Sequence, residues 1–361
     1  MRSAVGRVAL LLFGSGFCAL VYQTAWLRMF RLVFGASTAA SAAVLAIFMA
    51  GLGLGGLLLG RRADRHPIPL SLYAKLEAGI AVSAGLSPWL MALAQWLYIA
   101  LGGSPRLGLG GSTVVRLVLS TLVLAVPTFL MGGTLPAVAR AVERTADAGR
   151  RVVGLLYAVN TLGAVLGTLA TTFFSLEALG IRKSIWIAAL LNLVVVLAAR
   201  NLAREMAAAA PANPANPEDL EGTPAVPAPE RSGVGSFVTV SAAVVGFAFL
   251  LMELVWYRML GPLLGGSSYT FGLILAVALL GIGAGGLLYG AGGARRPSLL
   301  AFAGTCSLEA LFLILPFALG DRLAVLAALV RPLAGDGFLA LVGAWTGVTA
   351  IVVLPAAVVA G

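Results

Sequence analysis

Three carboxylates interrupt otherwise apolar runs: Glu77, Glu253 and Glu309. A charge far from water is costly, so such a side chain is normally paired or lines a path for a cation. Glu77 and Glu309 hold nearly corresponding places in two similar stretches of sequence, and Glu253 stands where the first stretch has Gln23. Two readings follow. Either the three line a cation-accepting cavity between two halves, or each is paired structurally with Lys75, Arg28 or Arg258. Tyr157 and Asn160, in LLYAVNTLGAVLG, bring a hydroxyl and an amide to another apolar run. They are candidates for contacting a substrate, with hydrogen bonding between helices as the plainer role. A third group, Gly60, Asp64 and Arg65 in GRRADR, carries conformational chemistry. An aspartate beside a helix end can hold neighbouring arginines and stabilise one arrangement of a moving bundle.

Other chemistries lack the necessary residues. Cys18 and Cys306 lie singly in apolar segments and His66 is the only histidine, so no metal-ligand spacing exists. The glycines at 51, 55, 56 and 60, and at 281, 285, 286 and 290, recur at four-residue spacing, as do Gly163 and Gly167. Such spacing lets helix backbones approach closely in lipid. With no preceding strand and no acidic ribose partner, they do not form a nucleotide loop. No catalytic residue, cofactor or metal is expected. The net charge of +10 comes from arginines at the ends of apolar runs, such as Arg61-Arg62 and Arg295-Arg296. That pattern orients a membrane protein and does not mark a nucleic-acid partner.

The elements that must hold these residues are dictated by composition. Of 361 residues, 60% are hydrophobic and 11% charged, against about 25% charged in a soluble domain. The partner implied is a lipid bilayer. About 20 apolar residues cross its hydrocarbon, and that ruler predicts ten helices, near 6–27, 37–60, 70–101, 112–141, 151–176, 183–203, 235–257, 267–290, 298–320 and 338–361. The segments at 70–101 and 112–141 exceed one span and are expected to tilt, protrude or break at Pro88 and Pro127. The basic, then apolar, N-terminus reads as a first membrane helix and not as a cleaved signal peptide. Trp26 and Trp256, followed by Arg28 and Arg258, read as outer aromatic-belt residues with snorkelling arginines.

An internal repeat organises the chain. Shifted by 230 positions, GFCALVYQTAWLRMFRLVFGAS falls on GFAFLLMELVWYRMLGPLLGGS, and GLGLGGLLLG falls on GIGAGGLLYG. Gly16, Trp26, Arg28, Met29, Gly35 and Ser37 meet Gly246, Trp256, Arg258, Met259, Gly265 and Ser267. The expected fold is an all-α polytopic membrane protein in two parallel repeats. Residues 1–204 form a first repeat of six helices, 205–234 a Pro/Ala-rich cytoplasmic linker, and 235–361 a second, incomplete repeat of four. The match of VVLPAAVVAG to LAVPTFLMGG makes the sequence read as the front of a longer protein, cut inside that repeat. With the N-terminus inside, 15 of the 24 Lys+Arg fall on inner segments, which favours a cytoplasmic N-terminus.

Two resemblances rest on these motifs. GRRADR, between the second and third helices, resembles the signature loop of major facilitator transporters, although its second-half counterpart GAGGARRP lacks the Asp. Taken in order, ALVYQTAWLRMFRLVFGAS, FMAGLGLGGLLLGRRADR, PTFLMGGTLPAVAR and GLLYAVNTLGAVLGTL resemble the membrane domain of bacterial fused proteins of the spermidine synthase-like family. In that family a facilitator-like helical domain precedes a soluble aminopropyltransferase domain. The resemblance covers nearly the whole chain apart from the linker. It implies polyamine biosynthesis, a bacterial inner-membrane location, and a C-terminal aminopropyltransferase domain in the full-length protein. That domain's nucleotide loop and catalytic Asp have no counterpart here, so no enzymatic residue carries over. The expected function is a membrane module that anchors such an enzyme and passes a polyamine or related cation. The alternative is an independent facilitator-like transporter of an unrelated small solute.

Overall fold

The computed structural model describes residues 2–35, 38–142, 146–208, 233–265, 268–291 and 298–361. Within them the long helices are α1 (Arg2–Phe34), α2 (Thr38–Asp64), α3 (Pro69–Ala100), α4 (Gly103–Gly132), followed by the short α5 (Thr134–Val142). Next come α6 (Ala146–Ala170), a π-helical turn (Thr171–Ser175), the single turn α7 (Leu176–Ala178) and α8 (Gly180–Ala208). After the linker run α9 (Gly233–Leu260), α10 (Ser268–Ala291), α11 (Leu299–Leu319), α12 (Asp321–Val330), a 3₁₀ turn (Arg331–Asp336) and α13 (Phe338–Ala360). No described residue is in a strand, and ten helical stretches are long and apolar enough to cross a membrane. The chain is a multi-pass, all-helical membrane protein. Most of linker 205–234, the loop holding Arg295 and Arg296, and Ser37, Arg144, Arg231 and Ser267 lie outside the described residues.

Hydrocarbon explains the architecture. A helix satisfies its own backbone and can turn apolar side chains outward at no cost in lipid. Trp96, Leu122, Val194 and Leu300 do so, all of them well exposed. Loop chemistry sets the ends of the rods. Pro69 takes the first turn of α3, where its missing N–H costs nothing. Gly102, at φ 91°, turns the chain from α3 into α4, a conformation open to glycine. The Ser298 hydroxyl accepts from the Ala301 amide at 3.1 Å to cap α11.

The prolines do not break their helices. α3 runs through Pro88 and α4 through Pro127. Pro88 has no N–H for the Ala84 carbonyl, and the Ser87 hydroxyl donates to that carbonyl at 2.6 Å instead. Substitute donors of this sort let proline sit inside membrane helices. The interruptions come at glycines: Gly108, with φ 65° and ψ −178°, kinks α4, and Gly133 separates it from α5. The helix at Asp321–Val330 and the 3₁₀ turn after it extend beyond the sequence-based expectation.

Packing centres on three apolar clusters. One surrounds Tyr22, Trp26 and Phe30 of α1, with Phe48, Ile80, Leu124 and Ile185. A second, at the other end of α1, joins Val8 and Leu12 to Tyr73, Val138, Leu156 and Ala199. The third gathers Trp256, Leu260, Ile274, Val352 and Val353 from α9, α10 and α13. α6 packs extensively on both α1 and α10 and so joins the two parts of the chain. Glycines make the closest approaches: Gly51 and Gly55 of α2 lie on Thr128 and Phe129 of α4, and Gly281 and Gly285 of α10 lie on Ala357 and Val358 of α13.

Both tryptophans correct the aromatic-belt expectation. Trp26 and Trp256 are fully buried. Trp26 stacks on Tyr22 with ring centroids 5.5 Å apart and donates its indole N–H to Ser87 Oγ at 2.7 Å. Trp256 meets Phe249 edge-on at 5.7 Å. Periodicity marks which residues are large and apolar. It does not say which helix covers them.

Candidate functional site

Glu77 occupies the middle of α3 and is fully buried where α3 faces α1 and α8. Its Oε1 accepts from Ser15 Oγ of α1 at 2.5 Å. From α8, the Asn192 side-chain amide donates to the Glu77 backbone carbonyl at 2.9 Å. One turn before Glu77, the buried Tyr73 hydroxyl donates to the Leu11 carbonyl of α1 at 3.2 Å. Ser15, Tyr73, Glu77 and Asn192 thus tie three helices together through polar groups that hydrocarbon cannot satisfy. Glu77 Oε2 remains buried with no hydrogen-bond partner among the described residues. A carboxylate so placed has capacity for a cation or a proton.

The other two glutamates sit apart from it. Glu253 of α9 and Glu309 of α11 are buried, each with an Oε1 that has no hydrogen-bond partner among the described residues. Neither α9 nor α11 packs substantially on α3, so the structure does not gather the three carboxylates into one cluster. None of the three forms an ion pair among the described residues, which removes Lys75, Arg28 and Arg258 as their structural partners. The reason is geometric: sequence proximity places a cation on the same helix, whereas pairing also requires a shared face.

Tyr157 and Asn160 lie on opposite flanks of α6. The Tyr157 ring comes against Gly286 of α10, and the Asn160 carbonyl against Gly16 of α1. Their positions sit at helix contacts, in keeping with the plainer of the two expectations. At the end of α2, Gly60 faces Pro136 of α5, and Asp64 Oδ1 stands 4.0 Å from Arg140 Nε. The arginine that Asp64 meets is on α5; its sequence neighbour Arg65 is exposed.

Ser15, Tyr73 and Asn192 were not singled out in the sequence, although an Asn within IWIAALLNLVVVLAA is a visible signal. A second group also escaped. After the π-helical turn, Glu177 Oε2 accepts from the Tyr269 hydroxyl of α10 at 3.0 Å. Beside them Phe173, Tyr269 and Phe338 pack with centroids 5.5 to 6.4 Å apart, which seals α6 against α10 and α13. A cavity of about 420 Å³ between α1, α3 and α8 is lined by Met29, Met91, Gln95, Arg182 and Lys183, and no carboxylate borders it. No group of three metal-binding side chains occurs among the described residues.

Comparison with known proteins gives a distant relationship. Over 185 residues the chain is 32% identical to the polyamine aminopropyltransferases of Mycobacterium tuberculosis (strain ATCC 25618 / H37Rv) and Mycobacterium bovis (strain ATCC BAA-935 / AF2122/97), a match covering 49% of the chain and 32% of each relative. Polyamine aminopropyltransferase 2 of Streptomyces coelicolor is 30% identical over 185 residues, covering 50% of the chain and 31% of that protein. The matched stretch is thus about a third of the length of these relatives. No family model and no solved structure matches.

Proposed function

We propose that this chain is the membrane-embedded module of a polyamine aminopropyltransferase-like protein, holding that chemistry at the bacterial inner membrane with the N-terminus in the cytoplasm and passing a polyamine or related cation. The observation that carries the reading is the combination of ten membrane-crossing helices with 185 residues of similarity to polyamine aminopropyltransferases. The buried carboxylates support the choice of a cation. Because they are separated, we assign first contact to Glu77 alone, with Ser15, Tyr73 and Asn192 positioning it, and give Glu253 and Glu309 separate roles along the path. Tyr157 and Asn160 act by holding α6 between its neighbours. The transfer of an aminopropyl group belongs to a soluble domain of the full-length protein.

The test is flux. Proteoliposomes containing the chain are loaded with radiolabelled spermidine and compared with the Glu77→Gln variant. The expected result is at least a tenfold loss of flux in the variant, with unchanged elution in detergent. Wild-type flux no greater than that of empty liposomes defeats passage, and equal flux in both proteins removes Glu77 from the path.

One observation favours a second reading, a facilitator-like transporter of an unrelated small solute. The pairing of Asp64 with Arg140 across the ends of α2 and α5 suits a loop that holds one state of a rocking bundle. A panel of labelled solutes in the same proteoliposomes separates the two readings. Uptake of a neutral or anionic solute without spermidine transport supports the second.

A further inference from the structure

α6 is gripped from two sides. On one side Gly16 of α1 lies on the Asn160 backbone carbonyl, while Gly163 and Gly167 of α6 lie on the Phe13 and Phe17 carbonyls of α1. On the other side Gly272 of α10 lies on the Thr172 side chain. Methyl groups added at Gly283 and Gly286 would come within 3.2 Å of Thr161 and 3.5 Å of Tyr157. Backbone approach of this kind is what small residues provide in lipid.

The 230-residue shift carries Gly16 of α1 to Gly246 of α9, and Gly283 of α10 to Gly53 of α2. Both counterparts are vacant: among the described residues nothing lies within 4 Å of a methyl added at Gly246 or Gly53. Phe17, part-buried at the α6 contact, has as its counterpart Phe247, which is 68% exposed. Seven residues beyond Gly246, two turns along the same face, stands Glu253, which is 4% exposed and has an Oε1 without a hydrogen-bond partner among the described residues. Two glycine contacts that exist on α1 and α10 are therefore missing on α9 and α2, and an unsatisfied buried acceptor shares one of those faces.

We propose that the open faces of α9 and α2 are the two walls of a site for one further transmembrane helix of the α6 type. Its chemistry follows from the walls. It carries small residues toward α9, hydroxyl-bearing and small residues toward α2, and a hydrogen-bond donor within reach of Glu253. The inference rests on the internal repeat and on the observed α1–α6–α10 sandwich, and it stands whatever solute the protein handles.

The probe is α6 itself, residues 146–178, produced as a separate helix with Thr161→Cys or Asn160→Cys. It is co-expressed with the full chain in a Cys18→Ala, Cys306→Ala background carrying Gly53→Cys or Gly246→Cys, and the membranes are oxidised. Disulfides are expected between positions 53 and 161 and between 246 and 160, each at least tenfold above a chain carrying Val82→Cys on the outward face of α3. A second variant tests that one helix spans both walls: Gly246→Trp is expected to reduce the crosslink at position 53 at least tenfold. Crosslinking no greater than at Val82→Cys shows that lipid alone covers these faces and overturns the proposal. So do Gly53→Cys chains that pair mainly with each other, and a crosslink that survives Gly246→Trp.

Discussion

α1 and α9 descend from the same pattern of residues, yet their polar groups meet different fates. Each buries a tryptophan completely at the matching position. On α1 the indole of Trp26 reaches Ser87; on α9 the indole N–H of Trp256 has no hydrogen-bond partner among the described residues. Gly16 is pressed against α6, whereas Gly246 meets open space. Shape complementarity between large apolar groups thus comes from the repeated pattern, while polar satisfaction comes from the particular helices that surround each copy. α1 has α3, α6 and α8 around it, and α9 has chiefly α10 and α13.

That contrast can be broken or sharpened by matched substitutions. The largest difference is expected from Gly16→Ala against Gly246→Ala. A methyl at Gly16 collides with a backbone carbonyl that has little room to move, and overpacking of this kind costs roughly 1–3 kcal/mol. At Gly246 the change is expected to stay within about 0.5 kcal/mol. Reversible unfolding in mixed detergent micelles reads both values, and equal costs would erase the distinction between the helices. A smaller difference is expected from Trp26→Phe against Trp256→Phe. Both lose some apolar contact, but only the first removes a hydrogen bond and strands the Ser87 hydroxyl, for an added cost of about 1 kcal/mol. The same unfolding assay measures it. The smallest effect belongs to Asp64→Asn. Its partner Arg140 is 4.0 Å away and both side chains are about half exposed or more, so stability should change by about 0.5 kcal/mol or less. A larger loss would show that the loop is coupled to more than this one pair.

The helices themselves were legible because hydrocarbon imposes a length and a composition that can be counted. All ten predicted spans appear, with ends displaced by a few residues. The prolines misled because breaking depends on the freed carbonyl, and the Ser87 hydroxyl supplies what Pro88 withholds. The tryptophans misled in another way. Proximity to an arginine resembles a membrane-surface anchor, and only the presence of Phe48 and Ser87 nearby shows that Trp26 is interior. Among the site residues, Glu77 could be picked out by type, but its partners Ser15 and Asn192 come from positions 62 and 115 residues away. No spacing rule links them. The carboxylates also could not be recognised as separate, because correspondence within a repeat says nothing of whether two copies face each other.

The turn at Thr171–Ser175 sets a strict limit on chain length. A π-type turn accommodates more residues per revolution than the surrounding α-helix. Removing a single residue there would return the segment to ordinary winding and rotate everything beyond it by about 100°. Glu177 and its bond to Tyr269 would then swing off the seam between α6 and α10. Point substitutions that preserve bulk should be absorbed at this turn, but insertions and deletions should not, so its length is constrained more tightly than its composition.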